Sequence, residues 1–433
     1  MTIDEQELRS AIDGAAARVH GDLVGWRHHL HAHPELSNRE VATEAFIVER
    51  LTEAGVDEIH QGIAGHGVVA LLKGGRPGPR IAALRADTDA LPVAETSGVD
   101  FASTVVDENY PGGPFPVSHA CGHDCHTATV LGAAHVLASV REHLPGSVMF
   151  IFQPAEEGPP VDEPGGAQAM VDAGAFGSTA PTMVFGMHVA PFPKGIVGVH
   201  VGNQFAASCM VKVTIEGKQV HGSTPWFGVD PYPVAAQIIT GSAQIYRQVP
   251  ATNAITVSFG HLDDVGRFNI IGATVTLWGT IRCLSAGDMA TAQANLRTLV
   301  DGAAASFGAT ATVEYLQDVP PVTNTPEWVD AIRPSIERVV GDERVVDVPP
   351  AMGYDDMSVF VRDFGGAYFN YGVQDTRLTV DSIEPVEGGR GIAMNHAPNF
   401  YADDDALLDY LRIFAHVAND HLHGAATTST NGQ

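Results

Sequence analysis

The stretch Arg80-Ile81-Ala82-Ala83-Leu84-Arg85-Ala86-Asp87-Thr88-Asp89 joins a short apolar run to two carboxylates that follow it. A short apolar run between polar residues is typical of a strand that is buried on both faces, as in a parallel sheet. Open α/β sheets place their functional sites at the carboxyl ends of such strands. The stretch therefore predicts a buried parallel strand that ends at a site.

Neighbouring segments repeat this pattern. Apolar strand-like runs alternate with helical patterns through the first half of the chain, which indicates an α/β domain with a doubly wound, mostly parallel sheet. The predicted strands are Gly67–Leu72, Arg80–Arg85, Ser147–Gln153, Thr182–His188 and Gly366–Tyr371, and the predicted helices are Thr127–Leu144 and Glu327–Val340.

After about residue 203 the strands alternate with period two, so that Val211, Val213 and Ile215 share one face. The predicted order is strand 207–216, helix 231–247, strand 254–261, strand 273–282, helix 287–307 and strand 310–317. This is the βαββαβ order of a ferredoxin-like sandwich. We therefore expect an α/β domain over 1–203 and 319–423, an inserted lid domain over 204–318, and a disordered tail over 424–433.

Composition restricts the function classes. The chain has 433 residues, with 24 Lys and Arg against 51 Asp and Glu, which gives a formal net charge of −27. Such a charge repels phosphate backbones and anionic membranes, so we expect neither nucleic acid nor membrane as a partner. The four Cys are too scattered for a disulfide framework, and Met1–Glu7 shows no signal-peptide pattern, so we expect a cytoplasmic protein.

Residues that bind metals cluster at the predicted strand ends. Cys121 and His123 can offer a thiolate and an imidazole to one ion, and the carboxylates of Glu157 and Asp124 suit the same divalent metals, Zn²⁺ or Mn²⁺. In the pair Glu156-Glu157, one carboxylate can bind metal while the other takes a proton from the attacking water. His188 and His396 are further candidate ligands.

Each of these features has a simpler interpretation when it stands alone. A Cys-Gly-His segment is usually a buried thiol, a Glu-Glu pair is usually a solvated face, and a histidine after an apolar strand usually belongs to the core. Their joint occurrence at successive strand ends favours a metal site. By contrast, we interpret the histidines of 26–35 as structural and Cys125, Cys209 and Cys283 as packing residues.

Six motifs in series resemble the zinc amidohydrolase family of aminoacylase, carboxypeptidase G and hippurate hydrolase, and most of all its indole-acetyl-amino-acid hydrolase branch. The segments that carry the resemblance are 85–92, 119–126, 153–157, 186–188, 279–282 and 395–398. They span nearly the whole chain in the order of the family. The resemblance implies cleavage of the amide bond of an N-acyl amino acid.

The resemblance also implies roles for individual residues. The implied ligands of two divalent metals, Zn or Mn with Co or Ni as alternatives, are Cys121, His123, Glu157, His188 and His396. Glu156 would be the general base, and Asp89 would orient a ligand from behind it. Family members form homodimers through the inserted domain, and His221 matches the histidine that reaches into the partner's active site. Asn269 and Arg282 match residues that hold the substrate carboxylate.

Two departures from the family pattern concern the substrate side. Trp226 replaces the second histidine of one family motif, and Asp355-Asp356-Met357-Ser358 replaces Glu-Asp-Phe-Ser. Three functions therefore stay open at this point. They are an N-acyl-amino-acid amidohydrolase, a dipeptidase or carboxypeptidase on the same scaffold, and a metal-binding protein without activity. The presence of Glu156 argues against the last.

Overall fold

The computed structural model describes residues 4–177, 179–379 and 382–428. The helices of the described residues are α1 (Glu5–Ala32), α2 (Val41–Ala54), α3 (His123–Ser139), α4 (Gly166–Asp172), α5 (Tyr232–Ser242), α6 (Ala286–Ser306), α7 (Pro326–Val340), α8 (Met357–Phe364) and α9 (Leu407–His423). No helix in these ranges is long and apolar enough to cross a membrane.

The strands of the described residues follow in chain order. They are β1 (Glu58–Ile63), β2 (Gly67–Lys73), β3 (Arg76–Asp87), β4 (Val106–Asp107), β5 (Phe115–Pro116), β6 (Pro145–Gln153), β7 (Met183–Pro193), β8 (Val197–Val199), β9 (Gly202–Phe205), β10 (Ala207–Glu216), β11 (Val220–His221), β12 (Ile255–Asp264), β13 (Ile270–Ile271), β14 (Thr274–Cys283), β15 (Thr310–Val319), β16 (Val322–Asn324), β17 (Val345–Asp347), β18 (Gly366–Gln374), β19 (Thr376–Leu378) and β20 (Ile383–Pro385).

The chain divides into two compact units. The first comprises the described residues of Met1–Gly202, Thr323–Pro349 and Val359–Gln433, and the second comprises Asn203–Val322 and Pro350–Ser358. The sequence assigned 350–358 to the catalytic domain, whereas the structure groups this segment with the second unit. The reason is backbone pairing, because the N–H of Ala206 donates to the carbonyl of Gly353 at an N to O distance of 2.8 Å.

The first unit is built on an eight-stranded sheet with the order β1-β2-β6-β3-β7-β18-β8-β17. The strands β6, β3, β7 and β18 run parallel, which confirms the predicted α/β class with a mostly parallel sheet. Helices α1, α3 and α9 pack against one another, and α9 also packs on β3 and β6. The four central strands therefore lie in the core of this unit.

Among the strands predicted from the sequence, β2 departs from the expected parallel pattern. β2 runs antiparallel to both β1 and β6. Its pairing with β1 is antiparallel because a short turn joins the two strands, in which Ala64 and Gly65 have φ values of 51° and 101°. A parallel neighbour needs a crossover of a dozen or more residues, which this turn excludes.

The second unit is a ferredoxin-like sandwich. Its four-stranded antiparallel sheet has the order β12-β14-β10-β15, and α5 and α6 pack on it in the predicted βαββαβ order. Along β10 the buried residues are Cys209, Val211, Val213 and Ile215, which confirms the alternation seen in the sequence. β12 and β15 are the two edge strands of this sheet.

The disordered tail predicted from Gly424 onward is wrong for the residues up to Thr428. Gly424 ends α9 with a left-handed φ of 89°, and Ala425 and Ala426 donate their N–H groups to the carbonyl of Asp420. Ala426 is fully buried, so this short apolar segment packs rather than remaining in solvent. Residues 429–433 lie outside the described part of the chain.

Candidate metal centre

Three adjacent strands bring the candidate residues together. β6, β3 and β7 are neighbours in the sheet and run parallel, with Asp87 at the end of β3 directly opposite Gln153 at the end of β6. Parallel strands present their carboxyl ends at one edge. The carboxylates that follow β3 and β6 therefore share this edge with His188 of β7.

The segment that carries Cys121 and His123 enters this edge through Gly122. Gly122 has a φ of 88°, and a Cβ at this position would lie 2.3 Å from Cγ2 of Val189. Only glycine fits such a close approach at positive φ. The turn at Gly122 lets α3 begin at His123, so that thiol and imidazole both face the ends of the strands.

Their donor atoms converge on a small volume. In the described part of the chain, Cys121 Sγ lies 3.3 Å from Nε2 of His188, and His396 Nε2 lies 3.2 Å from Oε1 of Glu157. His123 Nε2 lies 3.8 Å from Oε1 of Glu157 and 3.9 Å from Oε2 of Glu156. Groups of three donors that lie within 4.8 Å of one another are Cys121, His123 and His188; Cys121, Glu157 and His396; His123, Glu156 and Glu157; and Asp87, His123 and His126.

Two of the imidazoles are held in the form that a metal requires. Nδ1 of His123 lies 2.9 Å from the carbonyl oxygen of Asp89, and Nδ1 of His188 lies 2.7 Å from the carbonyl oxygen of Val189. Because a carbonyl only accepts, each Nδ1 carries the proton and donates it. When the ring is neutral, its Nε2 therefore carries the lone pair that a metal can bind, which is the usual arrangement behind metal-binding histidines.

His126 lies in the same cluster but has a different function. The backbone N–H of Val189 donates to its Nε2 at 2.9 Å, so the proton of the ring is on Nδ1, which donates to Oδ1 of Asp87 at 2.5 Å. Both ring nitrogens of His126 are thus used. His126 positions Val189, whose carbonyl in turn fixes the ring of His188.

The electrostatics of the cluster call for a cation. Burial raises the pKa of Cys121 well above that of a free thiol, and the charges of Glu157 and Glu156 raise it further. Burial opposes the charged form of His123, but Asp87, Asp89 and Glu157 outweigh it and raise its pKa to about 10. At pH 7, without a bound metal, Cys121 is therefore a neutral thiol and His123 a protonated imidazole.

The residues present fit a divalent metal pair. Nε2 of His123 and Oε1 of Glu157 are buried and have no hydrogen-bond partner among the described residues. An unpartnered buried polar atom is costly, and an ion would satisfy both atoms. The donor set of thiolate, imidazole and carboxylate suits Zn²⁺ and Mn²⁺.

Asp124 is not part of this donor set, although the sequence made it a candidate ligand. Its Oδ2 accepts from Nε of Arg27 and from Nδ1 of His31, each at 2.8 Å, and Nε2 of His31 contacts Glu95 at 2.9 Å. Burial raises the pKa of Asp124, but Arg27 and His31 outweigh it and hold the pKa well below its ordinary value. The carboxylate of Asp124 thus faces α1. This buried network gives Arg27 and His31, which lie in the segment 26–35, a structural role.

Asp87, at the end of β3, also contacts neighbouring side chains. Its Oδ2 accepts from Arg85 Nη1 at 2.6 Å, and its Oδ1 faces His126. Burial opposes its charge, but Arg85, His123 and His126 outweigh burial and hold its pKa well below the ordinary value. Asp87 therefore anchors His126 behind the cluster.

Asp89 lies behind two of the candidate ligands. Its Oδ2 accepts from Oγ of Ser37 at 2.6 Å and from the backbone N–H of Glu157 at 3.0 Å, and its carbonyl accepts from His123. The residue thus fixes the backbone of one candidate ligand and the ring of another. Its predicted orienting function stays a prediction.

Asn395 contributes to the cluster and was missed from the sequence. Its Nδ2 donates to the carbonyl oxygens of Cys121 at 3.0 Å and Val189 at 3.1 Å. It thereby joins the segment of His396 to two other parts of the cluster. The available signal was an asparagine directly before the candidate ligand His396. Only the family motif at 395–398 contained it.

The remaining candidate residues lie in the second unit. His221 is exposed on β11, where it pairs with Ile270 of β13. The N–H of the next residue, Gly222, donates to the carbonyl of Asn269 at 2.9 Å. Arg282 of β14 lies with its guanidinium carbon 4.7 Å from the ring centre of Tyr354. Trp226 is 71% exposed, so its side chain does not pack in the core of this unit.

Comparison with known proteins agrees with this chemistry. The sequence profile described as Peptidase family M20/M25/M40 matches residues 83–420. Thermostable carboxypeptidase 2 of Saccharolobus solfataricus is 33% identical over 89% of this chain and 91% of its own length. An N-acyl-L-amino acid amidohydrolase of Geobacillus stearothermophilus is 34% identical over 75% of this chain and 82% of its own.

A solved structure extends the comparison to the fold. The dinuclear metal-binding peptidase of the M20 family from Bacillus subtilis matches with a TM-score of 0.73 and 30% identity. The match covers 94% of this chain and 99% of that chain. The similarity therefore includes both units of the chain.

We predict that metal binding becomes tighter as the pH rises from 6 to 8. Cys121 and His123 are both protonated below their raised pKa values, and both must lose a proton to bind metal. The apparent affinity for Zn²⁺ should therefore rise by up to about 10²-fold per pH unit, with about two protons released. Chelator competition at several pH values measures this slope. Cys121→Ala should lower the slope by about one proton, and an affinity that is independent of pH would contradict the prediction.

Proposed function

We propose that this chain, which belongs to peptidase family M20/M25/M40, cleaves the amide bond of N-acyl amino acids with a pair of divalent metals. The chain is a hydrolase of the amidohydrolase type, and the substrate class and the metal pair are the proposal. The observation that carries it is the convergence of Glu156 and Glu157 on His123 at a strand end. The similarity to an N-acyl-L-amino acid amidohydrolase supports the substrate class.

The two adjacent glutamates have different roles in this proposal. Oε1 of Glu157 lies 3.2 Å from His396 Nε2, and Glu157 shares a donor group with Cys121 and His396, so it would hold metal together with these residues. Glu156 shares a donor group with His123 and Glu157, and its side chain is buried beside the cluster. We therefore assign Glu157 as a metal ligand and Glu156 as the general base.

The predicted ligand set is Cys121, His123, Glu157, His188 and His396. Metals held there would lower the pKa of an attacking water and polarise the carbonyl of the amide. Glu156 takes the proton of that water and then gives it to the leaving nitrogen, as one carboxylate can do in two successive steps. Asp89 keeps His123 and the backbone of Glu157 in place during both steps.

The second unit would supply recognition of the substrate carboxylate. Arg282 lies on β14, and its guanidinium lies over the ring of Tyr354 while Nη1 donates to the carbonyl of Met352 at 3.4 Å. A planar guanidinium held in this way is suited to bind a carboxylate through two parallel hydrogen bonds. Asn269 is the second candidate for this carboxylate, and Trp226 is the candidate for an apolar acyl group.

A carboxypeptidase activity on the same residues is the alternative function. The similarity to thermostable carboxypeptidase 2 favours it. Both reactions cleave an amide bond next to a free carboxylate, so both use the same base, metals and carboxylate clamp. A panel of N-acyl amino acids and dipeptides, run with Zn²⁺, Mn²⁺ and Co²⁺ in turn, separates the two activities.

The second unit also has the properties of a dimerisation domain. β12 is an edge strand, and edge strands offer unpaired backbone groups to another chain. Phe268, Phe227 and Trp226 are 95%, 68% and 71% exposed, which is unusual for large apolar side chains. We propose a homodimer in which His221 completes the partner's active site, in a cytoplasmic enzyme whose four cysteines are free thiols.

We predict that Glu156→Gln and Glu157→Gln have different effects. Glu156→Gln should keep the metals and the fold but lower kcat by several orders of magnitude, because the proton acceptor is lost. Glu157→Gln should instead lower the metal content. Elemental analysis and kcat measured on both variants provide the test, and equal metal content in the two would show that the assigned roles are wrong.

We predict that Arg282 discriminates acids from amides. Wild-type protein should prefer an N-acyl amino acid over its C-terminal amide by roughly 2 to 5 kcal/mol in kcat/KM, because the amide leaves a guanidinium unpaired. Arg282→Ala should lose this preference, while Arg297→Ala, which removes the cation over Tyr315 in the same unit, should keep it. A preference that survives in Arg282→Ala would remove this residue from substrate recognition.

We predict that two inactive variants restore activity when they are mixed. Glu156→Gln and His221→Ala each damage a different half of a shared site, so exchanged dimers contain one intact site. His221 would stabilise the oxyanion of the tetrahedral intermediate in the partner subunit. Up to about half of the dimers in the mixture should be heterodimers, and this fraction limits the activity that is recovered. Demonstrated exchange without any recovery would argue against a shared site.

A further inference from the structure

The loop that carries the two glutamates contains an unusual backbone conformation. Ala155, which directly precedes Glu156, has a φ of 56° and is 1% exposed. Residues other than glycine rarely adopt positive φ, because their Cβ crowds the backbone. Such a conformation persists only where the surroundings hold it in place.

A buried carboxyl group holds this residue. Glu40 lies 115 positions earlier in the chain, directly before α2, and is fully buried. Its Oε1 accepts the backbone N–H of Ala155 at 2.9 Å. Its Oε2 is buried and has no hydrogen-bond partner among the described residues. Although Glu40 occupies the N-cap position of α2, its side chain makes no capping hydrogen bond there.

We propose that Glu40 is a positioning residue that holds the Ala155 peptide in its left-handed conformation and so directs both Glu156 and Glu157 toward His123. The proposal rests on the proposed function in treating Glu156 as the base. It adds a residue that belongs to none of the motifs of the metal centre.

The backbone geometry explains why such a residue is needed. In an extended strand, adjacent side chains point to opposite faces, so two consecutive glutamates that continued β6 would diverge. Here both reach His123 Nε2, at 3.9 Å and 3.8 Å. The bend at Ala155 precedes this convergence, and the loop is fixed at two points. Glu40 fixes Ala155, and Asp89 fixes the backbone of Glu157.

The accepted hydrogen bond, rather than the charge of Glu40, carries this function. Burial raises the pKa of Glu40 to about 8, and the charge of Asp89 contributes to the increase. The carboxyl group is therefore mainly neutral at pH 7. An amide oxygen at the same place accepts the same N–H bond, whereas the sulfur of a thioether of similar size is only a weak acceptor.

The test compares Glu40→Gln with Glu40→Met, each with and without Ala155→Gly. Glu40→Met fills a similar volume with only a weak acceptor and should lower kcat on the order of 10²-fold at nearly constant KM, because the base is misplaced. Glu40→Gln should stay within about threefold of wild type. Ala155→Gly should restore part of the activity of Glu40→Met, since glycine adopts positive φ without strain.

A neighbouring glutamate provides the matched control. Glu35 accepts the N–H groups of Ala42 and Thr43 at 3.1 Å and 2.8 Å at the start of α2, so it stabilises the same segment without touching Ala155. Glu35→Ala should lower Tm but keep kcat, and Ala155→Gly should not alter its effect. Equal losses in Glu40→Gln and Glu40→Met, or no recovery by Ala155→Gly in folded Glu40→Met, would overturn the proposal.

A second readout separates this proposal from the assignment of the base. The absorption spectrum of the Co²⁺-loaded protein reports the placement of Glu157 without reference to turnover. Glu40→Met should change this spectrum, and Ala155→Gly should shift it back. If Glu156→Gln stays active, the assigned base is wrong, yet this spectral recovery still supports the positioning function of Glu40, and its absence still contradicts it.

Discussion

The structure of the first unit depends on the burial of several acidic groups in one place. Cys121 and Asp87 lie beside the two glutamates at one sheet edge, and burial disfavours the charged forms of Cys121 and Asp87. Arg85 compensates one of these charges, and protonated His123 compensates others. This constraint has two consequences. The site needs cations, and the residues around it must be held by hydrogen bonds so that the like charges stay together.

These hydrogen bonds form layers behind the donor atoms. His126, Asp89 and Asn395 bind backbone groups next to the candidate ligands, and Nδ2 of Asn395 also lies 4.0 Å from Sγ of Cys121. His126 and Asp89 therefore fix positions without consuming a lone pair that a metal would use. Residues of this kind commonly support metal sites, and their loss weakens metal binding or activity. The arrangement explains how several loops and a helix end maintain one geometry.

Much of this architecture was predictable from the sequence because it depends on local periodicity. The buried face of β10 followed from alternation alone, and the strand ends identified the cluster at Cys121, Glu156 and Glu157. The direction of β2 was not predictable, because it depends on the length of a turn rather than on the strand itself. The true partner of Asp124 lies on α1, 97 positions away, and no local pattern encodes such a pairing. The same holds for Glu40 and Ala155.

The position of β18 in the sheet has a consequence for synthesis of the chain. β18 lies between β7 and β8, and it begins at Gly366, after the whole of Asn203–Val322. Because domains fold in order as they leave the ribosome, the second unit can complete its sheet while the first still lacks a central strand. Asn395, which joins distant parts of the metal cluster, emerges later still. Nascent chains therefore pass through a stage with one finished unit and one open sheet, and metal loading becomes one of the last events of maturation.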